Sequence, residues 1–330
     1  MAAASGGADV KVLEGLRYPS GHAALHIACL QGCLDYLGAG LSYSWLCGGT
    51  GHAFIINIHA EVDVQGTNDW GPQMLFELAP NLGYRCAGLR ELGPSPAQDL
   101  AAQRREARKL IERYIDQGKP CYGFCVDPAN PDYSPICGYD GQGYYYSAIG
   151  YAEPTGPIAW ENLGTMWIDW VEVYGVERCE PASDEVVVRE ALRMALRFAE
   201  GPAEWIRPKA RSGLAAFAVW ADYLESGEAI LLHHDWNLQV WLDCRETAVA
   251  FLGEAKLRLG KAKGQFDAAT QSYRVVAEKL RDAKALIPKI ETTWQERRKF
   301  ASPEAAQLIR EAGTAEGDAL QCLQRIVRAL

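Results

Sequence analysis

LHIACLQGCLDYLG, residues 25–38, decides how this chain is read. Leu25, Ala28, Cys29, Leu30, Cys33, Leu34 and Leu37 recur at helical spacing, and Gly38 follows where a helix C-cap belongs. The pattern predicts one helix with its apolar residues in a core. The segments after it read as short strands: 54–63, 121–127, a strand ending in Gly138-Tyr139-Asp140, 144–151, 157–160 and 166–176. One helix, 97–118, interrupts them and ends on Gly118. Closely spaced strands with turn signals between them predict an antiparallel sheet. Tyr144–Tyr146 and the Trp167/Trp170 pair are expected to alternate between core and surface along their strands.

The composition changes near Pro181. Long helical patterns follow: 184–201 with Asp184 as N-cap candidate, 212–227 between two glycines, 237–260, 264–288, and a last helix capped by Ser302 with Pro303 in its first turn. Phe266, Tyr273, Leu280 and Ile287 stand seven residues apart, the spacing of an antiparallel bundle seam. His233-His234-Asp235 is expected as a polar loop before a helix, with Asp235 near the N-cap.

With 330 residues, 48% of them hydrophobic and 23% charged, the chain has the composition of a two-domain globular protein. No apolar run reaches the roughly 20 residues of a membrane span. Residues 1–9 read as a disordered lead-in rather than a secretory signal, because a basic n-region and an apolar h-region are missing. The ten cysteines are scattered over helix and strand patterns without zinc-site spacing, so free thiols in a reducing cytoplasm are expected. Residues 1–184 carry a net charge of −11 and residues 185–330 a net of +2. An acidic first half argues against nucleic acid as a partner and favours a cationic or neutral ligand.

Leu30, Leu34, Tyr36 and Gly38 match the closing pattern of the first helix in papain-like cysteine peptidases of the bacteriocin-processing (double-glycine leader) group, which the segment resembles. Gly118-Lys119-Pro120, the following strand, and the strand ending in Gly138-Tyr139-Asp140 extend the likeness. LSYSWLCGGTGHAF, residues 41–54, is similar to the Gly-rich stretch of the butirosin-biosynthesis protein H N-terminal family, a group proposed to transfer acyl groups with a Cys–His pair. The resemblance covers about residues 18–180. It implies a papain-like α+β domain with an antiparallel sheet at 10–182, followed by an all-α helical bundle at 183–330. It also implies that Leu25 stands where the nucleophilic Cys belongs and Asp132 where the His belongs, so both catalytic positions are degenerate. A thiol nucleophile needs a base within hydrogen-bond reach, and neither residue supplies its half.

The expected function is therefore a non-catalytic, peptidase-like protein that binds a small molecule or peptide in a retained cleft, as part of a biosynthetic or processing pathway. Trp45, Gly48, Gly49, Gly51, His52, Tyr133, Tyr139 and Asp140 are its cleft candidates. No cofactor and no metal are expected. His22 and His26 stand four apart on one face, but no third ligand or zincin Glu accompanies them. Gly48–Phe54 lacks the Lys-Ser/Thr of a P-loop and reads as a tight loop. One alternative is a cysteine-dependent hydrolase or acyltransferase using Cys29 with His22, His26 or His52 as base. Another is an interaction protein that assembles, as a homo-oligomer, through its helical half.

Overall fold

The computed structural model describes residues 10–67, 73–89, 100–130, 132–165, 170–289 and 297–330. In chain order the elements are β1 (Lys11–Val12), α1 (Leu25–Tyr36), α2 (Tyr43–Gly49), β2 (Asn57–His59), α3 (Gln73–Leu78), β3 (Tyr84–Leu89), α4 (Leu100–Asp116), β4 (Cys121–Phe124), β5 (Tyr133–Tyr139), β6 (Gly143–Tyr146), β7 (Thr155–Ala159), β8 (Glu172–Arg178), α5 (Asp184–Ala199), β9 (Ala210–Ser212), α6 (Gly213–Ser226), α7 (Leu231–Leu259), α8 (Lys263–Ala285) and α9 (Pro303–Ala329). The class is α+β, and the chain forms two compact units. One comprises residues 1–41 and 83–180, the other residues 42–82 and 181–330.

The first unit is built on an antiparallel sheet of order β3-β8-β4-β5-β6-β7, with β1 pairing the far end of β5. Helix α1 packs on β4 and β5. It is buried all round from His26 to Leu34, more completely than a one-sided apolar stripe would require. Its end follows the sequence: Gly38 adopts φ +65, its N–H bonds the Asp35 carbonyl, and the Ala39 N–H bonds the Leu34 carbonyl, a Schellman closure. Helix α4 lies against β8 and β5, with Ala107, Ile111, Tyr114 and Ile115 inward. Gly175 makes this packing possible, because a Cβ there would stand 2.4 Å from the Tyr114 ring. Strand β3 carries no clear alternation in the sequence and joins the sheet by pairing with β8.

The second unit is mainly helical. Helices α8 and α9, α7 and α8, and α6 and α9 form its principal contacts. Phe266, Tyr273 and Leu280 are fully buried along α8, as the heptad spacing predicts. Ile287 lies beyond the helix end and is half-buried. Ser302 caps α9 with Pro303 in the first turn, as expected. At α5 the cap is Ser183, whose Oγ accepts from the Val186 N–H, so Asp184 is the first helical residue. Helix α7 begins at Leu231, which places His233, His234 and Asp235 in its first turns instead of in a loop.

The division between the units differs from the single boundary expected at residue 182. Residues 42–82 group with the helical half because their apolar residues face it. Trp45 packs 5.3 Å from the Phe251 ring of α7, and Phe54 lies 5.4 Å from Tyr273 of α8. The strand expected over 54–63 shortens to β2, which pairs with β9 and not with the large sheet. Trp167 lies outside the described residues. Tyr144 and Tyr146 are buried and Tyr145 is half-buried, so that strand alternates.

Candidate functional site

The first turn of α1 meets one face of the sheet where β4, β5 and β8 run side by side. Register explains which side chains gather there. Phe124 of β4 is opposite Tyr133 of β5 on one side and Glu172 of β8 on the other, and Tyr122 is opposite Tyr174. Side chains two apart on a strand share a face, so Trp170, Glu172 and Tyr174 point together. His26 projects from α1 onto this face. Its ring stacks on Tyr133 with centroids 3.9 Å apart, and its Nε2 lies 3.1 Å from the Tyr122 hydroxyl.

Glu172 is the hub. It is 3% exposed and accepts three hydrogen bonds, from the Tyr133 hydroxyl at 2.9 Å, the Tyr174 hydroxyl at 2.8 Å and the Trp170 indole N–H at 2.9 Å. All three donors are neutral. Asp132, also buried, accepts the Tyr133 N–H at 2.7 Å. Loss of water raises its carboxyl to about 7, opposed by that N–H. Neither carboxyl bonds a Lys or Arg among the described residues. Cys125 closes β4 with φ +52 and feels both carboxyls, and burial pushes its thiol up to about 12.

The residues singled out in the sequence separate into groups. Leu25, half-buried, opens α1, and its carbonyl accepts from the Tyr18 hydroxyl at 3.2 Å. His22 is half-buried just before the helix. Cys29, one turn on, is fully buried. Burial holds its thiol well above the ordinary range, and Cys33 and Asp132 add to the effect. Tyr139 and Asp140 sit at the opposite end of β5 from Tyr133, about 20 Å along the strand. There Tyr139 donates to Asp116 at 2.6 Å, while Asp140 accepts the Gln142 and Gly143 N–H groups and the Tyr145 hydroxyl to close a turn.

Trp45, Gly48, Gly49, Gly51 and His52 belong to the other unit and are buried in it. Arg258 covers the Trp45 ring at 3.9 Å. Gly48 and Gly49 are helical rather than a loop, and a Cβ at Gly48 would stand 2.1 Å from Phe251. Only Gly51 of the three uses positive φ. His52 is desolvated, which lowers its pKa to about 4. All ten cysteines are free. Among the described residues, no group of three His, Cys, Asp or Glu is placed to hold a metal ion, and no helix is long and apolar enough to cross a membrane.

Glu172, Tyr122 and Tyr174 were not among the sequence candidates. A signal existed for two of them. A carboxylate inside the run Trp170-x-Glu172-x-Tyr174 shares a face with two hydrogen-bond donors, which marks it as a buried acceptor. Tyr122 carried no such mark, because its role depends on pairing with a strand fifty residues away. Compared with known proteins, the chain matches no protein-family model and no curated protein.

Proposed function

We propose that this chain is a non-catalytic, papain-like binding protein, in which an aromatic and carboxylate cluster stands where a peptidase would carry its thiol and imidazole. The observation that supports this reading most is the stacked His26–Tyr133 pair between α1 and β5, with the Tyr133 hydroxyl turned onto Glu172. The pair joins the start of a buried helix to the start of a sheet strand, the junction at which the resembling enzymes assemble a Cys and a His. Here Leu25 opens the helix, and the nearby Cys125 thiol is pushed up to about 12 by burial. Cys29 lies a full turn deeper, where burial disfavours the thiolate that nucleophilic attack requires. The ligand is a small molecule or peptide.

Mass-spectrometric mapping of iodoacetamide adducts tests this. Cys29 is expected to label slowly in the native protein at neutral pH and readily once the protein is partly unfolded. Rapid, stoichiometric labelling of native Cys29, lost on His26→Ala, would replace this reading with a cysteine-dependent hydrolase or acyltransferase.

A further inference from the structure

We propose that a cavity in the helical unit, walled by the end of α5, by β9, by the start of α6 and by α9, binds a small organic monocarboxylate with an apolar body. The site lies wholly within residues 196–324 and is independent of the α1 junction, which belongs to the other unit. The first ground is space. The cavity measures about 550 Å³, within the roughly 300–1,000 Å³ range of ligand pockets. Its walls are held from behind. Trp205 is buried, stacks on Phe198 of α5 with centroids 6.4 Å apart, and lies under the Arg197 guanidinium at 4.3 Å. Turns close the loop between α5 and β9: the Trp205 and Ile206 N–H groups donate to the Pro202 carbonyl, and the Ala210 N–H to the Arg207 carbonyl. Strand β9 is fixed by its pairing with β2. A ligand entering such a cavity has little of it left to order.

The second ground is the chemistry of the lining. Leu196, Ile206, Leu214 and Leu320 supply apolar surface, and Leu214 is 47% exposed, so that surface is within reach of a ligand. Arg207, Arg211 and Glu200 supply charge. Two guanidinium groups against one carboxylate leave a single positive charge, which a monoanion matches. Arg211 is already positioned. Its Nη1 donates to the Pro208 carbonyl at 3.1 Å and to the Ala210 carbonyl at 2.7 Å. Both acceptors are neutral, and no carboxylate bonds Arg211 among the described residues. Its Nε and Nη2 donors are left for an anion, in the fork geometry that suits a carboxylate.

The third ground is the start of α6. Ser212 stands at its N-cap, but the Ser212 hydroxyl donates to the Phe198 carbonyl at 2.8 Å and does not cap the helix. Leu214 and Ala215, whose N–H groups belong to the uncapped first turn, line the same cavity as Arg211. A carboxylate held by Arg211 there is favoured by the helix dipole as well. The leucine and isoleucine walls then receive the rest of the ligand, which separates an organic acid from an inorganic anion.

Calorimetric titration of octanoate into the full chain tests this. Two controls divide the probe: acetate carries the charge without the chain, and 1-octanol carries the chain without the charge. Saturable binding of octanoate at one site is expected, with each control weaker by about tenfold or more. Arg211→Gln should weaken octanoate by about tenfold or more, the size of one hydrogen bond to a charged group. Ala215→Glu should abolish binding, because it sets a carboxylate inside the cavity. Ala215 is exposed in the first turn of α6, where an acidic residue suits a helix, so this variant keeps its fold. Absence of saturable binding, either control binding as tightly as octanoate, or indifference to either substitution would each overturn the proposal. Labelling of Cys29 is read separately. A reactive Cys29 with octanoate binding intact removes only the non-catalytic reading, and an inert Cys29 without octanoate binding removes only this one.

Discussion

Each unit buries a glutamate, and the two are treated in opposite ways. In the helical unit, Glu316 of α9 is 1% exposed and faces Arg245 of α7, which donates Nε to one carboxylate oxygen at 2.9 Å and Nη2 to the other at 3.0 Å. Arg245 also donates Nη1 to the Ile55 carbonyl at 2.6 Å. Every charge there has its counter-charge, and the pair ties two helices and a loop together. In the sheet unit, Glu172 is equally buried, but among the described residues its donors are all neutral. A closed ion pair fixes a fold and leaves nothing for a ligand to do. Glu172 is instead held by two tyrosine hydroxyls and an indole N–H, with no bonded base among the described residues.

Breaking the closed pair should have the largest effect. Arg245→Met leaves Glu316 buried and unpaired and should lower the stability of the protein by about 3–5 kcal/mol in urea denaturation. Replacing both, Arg245→Met with Glu316→Leu, should recover most of that loss, because well-packed apolar side chains substitute for a buried pair. If the double variant is as unstable as the single one, the pair carries more than mutual neutralisation.

Removing one donor from Glu172 should matter less. Tyr174→Phe keeps the ring and the other two hydrogen bonds to Glu172, and should cost roughly 1–3 kcal/mol. A loss as large as that of Arg245→Met would mean that Glu172 is as structural as Glu316, and would erase the contrast.

The titrating groups should show as opposite slopes of stability with pH. Asp132 holds its proton to about pH 7 in the folded protein and to about 4 when unfolded. The folded state binds more protons over that range, so this group's contribution to stability is full below about pH 4 and declines as pH rises to 7. His52 and His234 behave in the reverse sense. Burial lowers them to about 4 and about 3, so the unfolded chain binds more protons below about 6.5, and stability falls as the solution is acidified from there. Asp132→Asn should flatten the first slope and leave the acid-side loss unchanged. A variant that alters both, or neither, would show that the buried carboxyl is not the group titrating near neutrality.

Much of this architecture was legible locally. Gly38 ends α1 where the sequence places a C-cap, Ser302 and Pro303 start α9, and the spacing of Phe266, Tyr273 and Leu280 marks the bundle core. These features depend on residues within a turn or two of each other. What the sequence did not reveal depends on distant partners. Trp45 and Gly48 carry no local sign that they pack on Phe251 of α7, about two hundred residues later, nor Gly49 that it meets Leu82 and Val187, so the sequence alone suggests a cleft rather than a core. Tyr133, Tyr139 and Asp140 are all expected at the cleft, but the extended strand carries Tyr139 and Asp140 to its other end. His26 was a candidate base for Cys29, yet its observed partners are Tyr122 and Tyr133, set by the pairing of β4 with β5. Glu172 and Tyr174 were within reach of local reasoning, through the alternation of Trp170, Glu172 and Tyr174.

The pH dependence of Cys29 alkylation tests the central claim most directly. A buried thiol with Cys33 and Asp132 beside it should react slowly at neutral pH, with a rate that climbs without a plateau through pH 9. A rate that levels off below pH 7 would reveal a thiolate stabilised by an imidazolium, and would contradict the account of this junction as one without thiol chemistry.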